Sequence, residues 1–110
     1  RRIGPGRTRE LMLTNRRLSA AEALDWGLAN EVVPAADLVA RTNALAAQFA
    51  AGPTAAYGRV KELLAASATN SIETQMELEA RAIADSARTA DAREGIEAFL
   101  SKRKPAFRGE

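Results

Sequence analysis

The 110-residue sequence has no cysteine and no histidine, and it holds only one tryptophan and one tyrosine. Without cysteine, the chain has no disulfides, no thiolate nucleophiles and no cysteine-ligated zinc sites. Without histidine, it lacks the commonest general base and the commonest metal ligand of proteins. We therefore predict no metal site, and aspartate and glutamate remain the only conventional acid–base candidates.

Long apolar runs and segregated charge are also missing. No run approaches the roughly 20 apolar residues of a transmembrane helix, and no charged-then-apolar signal segment opens the chain. We therefore expect no membrane partner and a cytoplasmic location. The formal net charge is +2, and acids are interleaved among the cations with few aromatics between them. Because this pattern does not form a basic stripe, we expect no nucleic-acid partner.

Alanine is abundant, at 25 residues within a hydrophobic content of 46%. It favours helices and close helix contacts, but it leaves few large side chains for a core. A buried large side chain contributes roughly 1.5 to 3 kcal/mol, whereas ordering the backbone costs roughly 1 to 2 kcal/mol per residue. We therefore expect a marginal monomer that packs against another part of the same protein or against another copy.

Start and stop signals predict six helices separated by links of two to six residues. The predicted helices cover approximately residues 8–13, 19–27, 36–51, 53–67, 70–87 and 91–104. A Gly4-Pro5-Gly6 turn precedes the first helix, and residues 30–34 form either a very short strand or an extended link. The predicted fold class is all-α, and residues 1–110 are expected to form a single helical segment.

Three helix starts carry the pattern of a capping box, in which an N-cap side chain and an acid three residues later bond each other's backbone N–H groups. The pairs are Ser19 with Glu22, Asn70 with Glu73, and Asp91 with Glu94. In the fifth helix, apolar residues recur at steps of three and four. This seam, which predicts a helical partner, consists of Ile72, Met76, Ala80, Ile83 and Ala87.

The last twenty residues combine a helix start, an apolar stripe, a cationic end and Pro105, which cannot continue a helix. Phe99 belongs to the stripe and Lys102 follows three residues later, so we predict that they share a helical face. That pair suits a nucleotide, because the ring could stack on a base while the ammonium meets a phosphate. The same spacing also fits a core phenylalanine beside a solvated lysine.

Two other patterns are less specific. Tyr57 and Lys61 lie one helical turn apart and could contact a ligand together, although packing and solvation also account for them. The run Gly4 to Arg7 is similar to a phosphate loop but lacks the lysine and hydroxyl of a nucleotide P-loop, so a turn is favoured. Each acid has a role in a cap or on a polar helix face, and we assign no catalytic residue.

Three longer segments carry a family resemblance. They read SAAEALDWGLANEVVP from Ser19, PTAAYGRVKELL from Pro53, and DAREGIEAFLSKRKPAF from Asp91. In this order they closely resemble the C-terminal portion of the enoyl-CoA hydratase/isomerase family, also called the crotonase superfamily, and the match covers nearly the whole chain. Thr8 departs from the family's usual alanine and Asn15 from its usual glycine, although asparagine tolerates the positive φ of that turn.

The resemblance implies an acyl-CoA-processing parent enzyme, a lyase or isomerase, whose C-terminal helices assemble a homotrimer or a hexamer. It implies that Phe99 and Lys102 lie near the adenine and a phosphate of CoA bound largely by a neighbouring subunit, with a smaller role for Lys61. CoA enters as part of the substrate, so no separate cofactor is expected. The family's oxyanion-hole and proton-transfer residues belong to segments before the one that matches Arg1, and none is assigned here.

A second hypothesis treats the chain as a free-standing helical module that oligomerises or binds a partner without catalysis. The family itself includes hydratases, isomerases, dehalogenases, decarboxylases and thioester hydrolases. The resemblance therefore indicates enolate chemistry in general, and the reaction, the acyl group and the enzymatic status of this chain alone are left open.

Overall fold

The computed structural model describes all residues from 1 to 110 and contains six α-helices, one 3₁₀ turn and no strand. The helices are α1 (Gly4–Thr14), α2 (Ala20–Asp25), α3 (Leu38–Ala50), α4 (Thr54–Ala66), α5 (Ile72–Ala87) and α6 (Ala90–Leu100), and the 3₁₀ turn is Ala35–Asp37. The predicted all-α class with six helices is confirmed. None of the helices has the length and apolar content needed to cross a bilayer. Two compact units make up the chain, residues 1–41 and residues 42–110.

In the first unit, three of the predicted helix ends are confirmed. The capping box of α2 forms, with Ser19 Oγ accepting the N–H of Glu22 at 3.2 Å and Glu22 Oε2 accepting the N–H of Ser19 at 3.1 Å. After α1, Asn15 adopts the left-handed conformation at φ 47°. Gly27 does the same after α2 at φ 72°, where a side chain would be strained.

The start of α1 differs from the prediction. Gly4 to Gly6 form the first turn of the helix and not a preceding turn. Pro5 fits there because its missing N–H would have no partner in the first turn of a helix. Residues 30–34 contain no strand and form a link without regular secondary structure.

Charged and aromatic side chains hold the first unit together around Arg16. Its guanidinium pairs with Glu10 at 2.9 Å and Glu22 at 3.1 Å. It also lies 5.0 Å from the ring centroid of Trp26, which Arg7 approaches to 4.8 Å. Arg16 thus joins α1 to α2 through two ion pairs and one cation–π contact.

In the second unit, α4 packs on α5 and α5 packs on α6. Polar bonds cross the first contact, from Arg59 Nη1 to Ser86 Oγ at 3.3 Å and from Gln75 Nε2 to the Leu63 carbonyl at 3.4 Å. The predicted cap of α5 is wrong: Ser71, not Asn70, is the N-cap and accepts the N–H of Thr74. Serine at 71 offers the same acceptor one residue later, so Glu73 no longer stands at the capping-box position.

Very little of the chain is buried. The one buried hydrophobic residue is Ala98, at 1% exposure, and the one buried charged residue is Asp91, at 5%. The large side chains of the α5 seam, Ile72, Met76 and Ile83, are 64–71% exposed. A helical partner for this seam stays a prediction.

Candidate functional site

The candidate site lies at α6 and the C-terminal tail, which we define as residues 103–110. The cap of α6 is Thr89, whose Oγ1 accepts the N–H of Ala92 at 3.0 Å. The predicted cap, Asp91, is therefore wrong, and Asp91 lies within the first helical turn. Threonine supplies the same acceptor two residues earlier, which frees the aspartate for other contacts.

The Asp91 carboxylate binds the end of the tail. Its two oxygens accept the backbone N–H groups of Arg108 at 2.7 Å and Gly109 at 2.8 Å. The N–H of Asp91 in turn donates to the carbonyl of Glu110 at 2.8 Å. The first two bonds satisfy a carboxylate that is almost completely removed from water, and the third satisfies the backbone N–H of the same residue.

Glu94 binds the beginning of the tail, one helical turn further along α6. Its carboxylate accepts hydrogen bonds from Nη1 and Nη2 of Arg103 at 2.6 and 2.9 Å. It also accepts the N–H of Ala106 at 2.7 Å. The Arg103 hydrogen bonds, followed by that of Ala106, outweigh desolvation and lower the pKa of Glu94 to about 2. We call Asp91 and Glu94 together the tail clamp.

The C-terminal end of α6 is a Schellman turn built without glycine. The helix ends at Leu100, and the N–H of Lys102 donates to the Phe99 carbonyl at 3.2 Å. The N–H of Arg103 donates to the Ala98 carbonyl at 3.0 Å. Lys102 occupies the left-handed position at φ 53°, which glycine usually fills.

The predicted shared helical face of Phe99 and Lys102 is therefore wrong, because Lys102 lies beyond the helix. The two residues are still joined by the backbone hydrogen bond of the turn. Both side chains are exposed, Phe99 at 82%. The predicted cationic end, which consists of Lys102, Arg103 and Lys104, also follows the helix and does not lie in its last turn.

Phe99 lies on the wall of an open, mainly apolar groove of about 430 Å³ in the second unit. Phe107 of the tail forms another part of the wall and packs against Gly95, where a Cβ atom would lie 3.5 Å from the ring. The remaining lining residues are Pro53, Ala55, Ala56, Ser86, Thr89, Asp91, Ala92, Gly95, Ile96 and Leu100. The tail clamp thus fixes one wall of the groove and Phe99 supplies another.

The remaining predicted site residue, Lys61, lies on the exposed surface of α4 and is not part of the groove. Its neighbour Tyr57 has a packing role. The Tyr57 ring meets Phe49 edge to face, with centroids 6.1 Å apart, and covers Gly52. The structure therefore groups Phe99 with Lys102 and places Lys61 elsewhere on the second unit.

Every carboxyl group whose pKa is displaced has a pKa below its ordinary value. Hydrogen bonds with Ser19 lower the pKa of Glu22, and Arg41 lowers that of Glu31. The pKa of Glu73 is lowered by its own N–H and by Ser71. Together with Glu94, these groups are stabilised as carboxylates, whereas a general acid at neutral pH needs a raised pKa. They serve as hydrogen-bond acceptors in caps and ion pairs.

The tail clamp was missed by the sequence analysis. Asp91 and Glu94 have hydrogen-bond partners 9 to 18 residues away in the sequence. A capping box, in contrast, joins residues that are three positions apart. The available signal was the presence of acids at 91 and 94 and a cation at 103 around a proline-containing tail. That signal gives charge complementarity but not the conformation that brings the groups together.

Comparison with known proteins assigns the family. The family model described as enoyl-CoA hydratase/isomerase matches residues 1–110. The probable enoyl-CoA hydratase of Rhodobacter capsulatus is 39% identical over 99% of this chain and 42% of its own length. For the 1,2-epoxyphenylacetyl-CoA isomerase of Escherichia coli, the identity is 37% over 97% of this chain and 41% of the relative.

The fold agrees with a solved member of the same family. The crystal structure of an enoyl-CoA hydratase from Bacillus anthracis superimposes with a TM-score of 0.89 and 35% identity, over 99% of this chain and 42% of that structure's chain. The chain spans less than half the length of the relatives it matches. With a family model matching every residue, the chain belongs to the enoyl-CoA hydratase/isomerase family.

Proposed function

We propose that the chain is the C-terminal helical region of an acyl-CoA-processing enzyme, where it contributes to oligomer assembly and to the edge of the CoA-binding site. The family match over residues 1–110 carries this proposal. The relatives named above are a hydratase and an isomerase of CoA thioesters. Their two names describe different reactions, so the proposal specifies the acyl-CoA substrate and not the reaction branch.

Exposed apolar surface supports the proposed role in assembly. Large side chains on α4, α5 and α6 are left in contact with solvent, including Leu64 at 65%, Met76 at 64% and Leu100 at 75%. Large apolar side chains left exposed by a single chain are typical of obligate interfaces. A homotrimer, or a hexamer built from trimers, would cover them with neighbouring subunits.

Light scattering of the full-length enzyme tests this role. We expect the mass of a trimer or a hexamer. A stable monomer would contradict it. If the 110-residue chain by itself forms a discrete oligomer and binds no CoA, the alternative of a free-standing association module is favoured.

The end of α6 supports the proposed CoA contact. The ring of Phe99 is exposed. The ammonium of Lys102 has no carboxylate partner, whereas the guanidinium of Arg103 is paired with Glu94 and Glu97. An exposed ring can stack on adenine, and a free ammonium can meet a phosphate. Lys61, exposed on α4, is assigned a smaller contribution to the same ligand.

Calorimetric titration of the full-length enzyme with CoA tests this contact. Because base–aromatic stacking contributes about 1 to 3 kcal/mol, we expect Phe99→Ala to raise the Kd about tenfold. Lys102→Ala should have a similar effect, and Lys61→Ala a smaller one. Lys104→Ala is the matched control, since it removes an exposed cation two residues from Lys102. Equal Kd values for all four variants and the unmodified enzyme would contradict the assignment.

A third test concerns catalysis by the isolated chain, in which no catalytic residue is assigned. Because the oxyanion hole and proton-transfer groups are proposed to lie in other segments of the enzyme, the isolated 110-residue chain should not hydrate crotonyl-CoA. Hydration at an enzymatic rate by the purified chain would overturn this part of the proposal.

A further inference from the structure

The conformation of Lys102 is costly for a residue with a side chain. The left-handed region is unfavourable for a non-glycine residue, because Cβ approaches the following carbonyl oxygen. Such residues persist where the surrounding structure fixes them, and they are concentrated at functional sites. The two hydrogen bonds of the Schellman turn favour this conformation, but both lie at a helix end, where chains fray.

Glu94 supplies the constraint on the other side of the turn. It holds Arg103, the residue directly after Lys102, with both carboxylate oxygens, and it holds Ala106 by its N–H. Planar, bidentate pairing of this kind restricts the guanidinium in orientation as well as in distance. The backbone that follows Lys102 is thus tied to α6 at Glu94, nearly two turns before the helix ends at Leu100.

Glu97 provides a contrast on the same helix. It also approaches Arg103, but at 3.5 Å through a single nitrogen, and its side chain is 73% exposed, against 22% for Glu94. A surface contact of that geometry contributes little. Arg103 is therefore oriented by Glu94, and Glu97 adds a nearby charge.

We propose that Glu94 is a positioning residue for CoA, which acts through Arg103 to hold the turn that carries Lys102 beside Phe99. This inference rests on the proposed CoA contact of Lys102. Glu94 itself does not touch the ligand. Its role is to keep the lysine in one backbone conformation before CoA arrives, so that binding does not have to order the turn.

The test measures the Kd of CoA for the full-length enzyme by calorimetry. The variants are Glu94→Gln, Lys102→Ala and the double variant, with Glu97→Gln as the matched control that removes one charge from the same helix. We expect Glu94→Gln to weaken CoA binding by about fivefold, and Glu97→Gln by less than about twofold. If Glu94 acts through Lys102, the double variant should bind no more weakly than Lys102→Ala alone.

The outcomes separate this inference from the proposed function. Loss of affinity in Lys102→Ala without loss in Glu94→Gln overturns the positioning role and leaves the CoA contact standing. Full additivity in the double variant also overturns it, because a general structural effect would not depend on Lys102. An unchanged Kd in Lys102→Ala overturns the contact and the positioning role together.

Arg103→Lys provides a second route if Glu94→Gln fails to fold. It keeps the positive charge but cannot form the two-nitrogen fork, so it should weaken CoA binding in the same direction. Thermal unfolding of each variant identifies those that remain folded. A folded Arg103→Lys variant with an unchanged Kd for CoA would contradict the inference.

Discussion

The two units of the chain both lack an apolar core, but opposite charges organise them. In the first unit, the cation Arg16 collects two carboxylates and the ring of Trp26. In the second, the carboxylates of Asp91 and Glu94 accept hydrogen bonds from one guanidinium and three backbone N–H groups. The ion pairs of Arg16 span 6 residues, whereas the bonds of the tail clamp span 9 to 18.

The burial of the charged groups determines how sensitive each unit is to substitution. Arg16 and its partners are about one-third to one-half exposed, so water replaces much of any lost ion pair. Asp91 is buried, so water cannot easily reach the groups that a substitution would leave unpaired. We therefore expect the second unit to respond to single substitutions in the clamp more strongly than the first unit responds at Arg16.

The largest expected effect is that of Asp91→Asn. The new amide group has one carbonyl oxygen, so its NH₂ must face the N–H of Arg108 or Gly109, which places two donors together in a buried site. We expect a loss of about 2 to 3 kcal/mol in the free energy of unfolding. Urea denaturation followed by circular dichroism measures it.

Asp85→Asn is the matched control for this substitution. Asp85 is 57% exposed and pairs with Arg88 at 3.6 Å, so we expect a loss below about 0.5 kcal/mol. Equal losses in the two variants would remove the distinction between a buried clamp and a surface pair.

Several parts of the fold that local sequence determines were predicted correctly, although the caps of α5 and α6 were not. The Ser19–Glu22 box, the left-handed Asn15 and the stop at Gly27 each depend on residues within one helical turn. Their partners are fixed once the helix forms, so the side-chain types and spacing are sufficient. Six helices could be identified for the same reason.

The arrangement of the candidate site could not be read in the same way. The sequence indicates that Phe99 and Lys102 are close, but not that a left-handed turn separates Lys102 from the helix. It also assigns Asp91 and Glu94 to a local cap because their true partners follow a turn and a proline. The conformation of that turn depends on tertiary bonds, which residue spacing does not contain.

A second, smaller effect is expected where the tail meets α4. Gly109 has φ +84°, and a Cβ atom there would collide with Thr54 Oγ1. Gly109→Ala should therefore destabilise the second unit by about 1 to 2 kcal/mol, through backbone strain and displacement of the tail from Asp91. Urea denaturation measures the change.

Gly58→Ala is the control in the same unit. Gly58 lies inside α4 and has open space at its Cβ position, so alanine should stabilise the helix by about 0.5 to 1 kcal/mol. The test depends on the change in the free energy of unfolding having opposite signs in the two variants. Destabilisation by both would mean that glycine at 58 is also needed for close packing.

Arg16→Met tests the ion pairs of the first unit. It keeps an unbranched side chain but removes both ion pairs and the cation–π contact with Trp26. We expect a clear change in the fluorescence of Trp26, the single tryptophan of these 110 residues, with only a small fall in melting temperature. Arg17→Met, at an exposed neighbouring position, should leave the fluorescence unchanged. A larger stability loss than that of Asp91→Asn would reverse the comparison.

The most local effect is the response of the tail clamp to acid. Arg103 and the N–H of Ala106 lower the pKa of Glu94 to about 2 from its ordinary value of 4.5. Because the folded-state pKa is the lower one, the stabilisation from Glu94 is complete above the ordinary value and is lost as the pH falls from 4.5 toward 2. The amide resonance of Ala106 reports the folded state, so it should stay constant at neutral pH and shift with a midpoint at about 2.

Glu94→Gln removes the titrating group and should abolish the acid-dependent shift of the Ala106 resonance. If the Ala106 resonance instead moved with a midpoint at 4.5 or above, Glu94 would gain nothing from Arg103 in the folded state. The clamp would then depend on Asp91 alone, and the positioning role proposed for Glu94 would lose its physical basis.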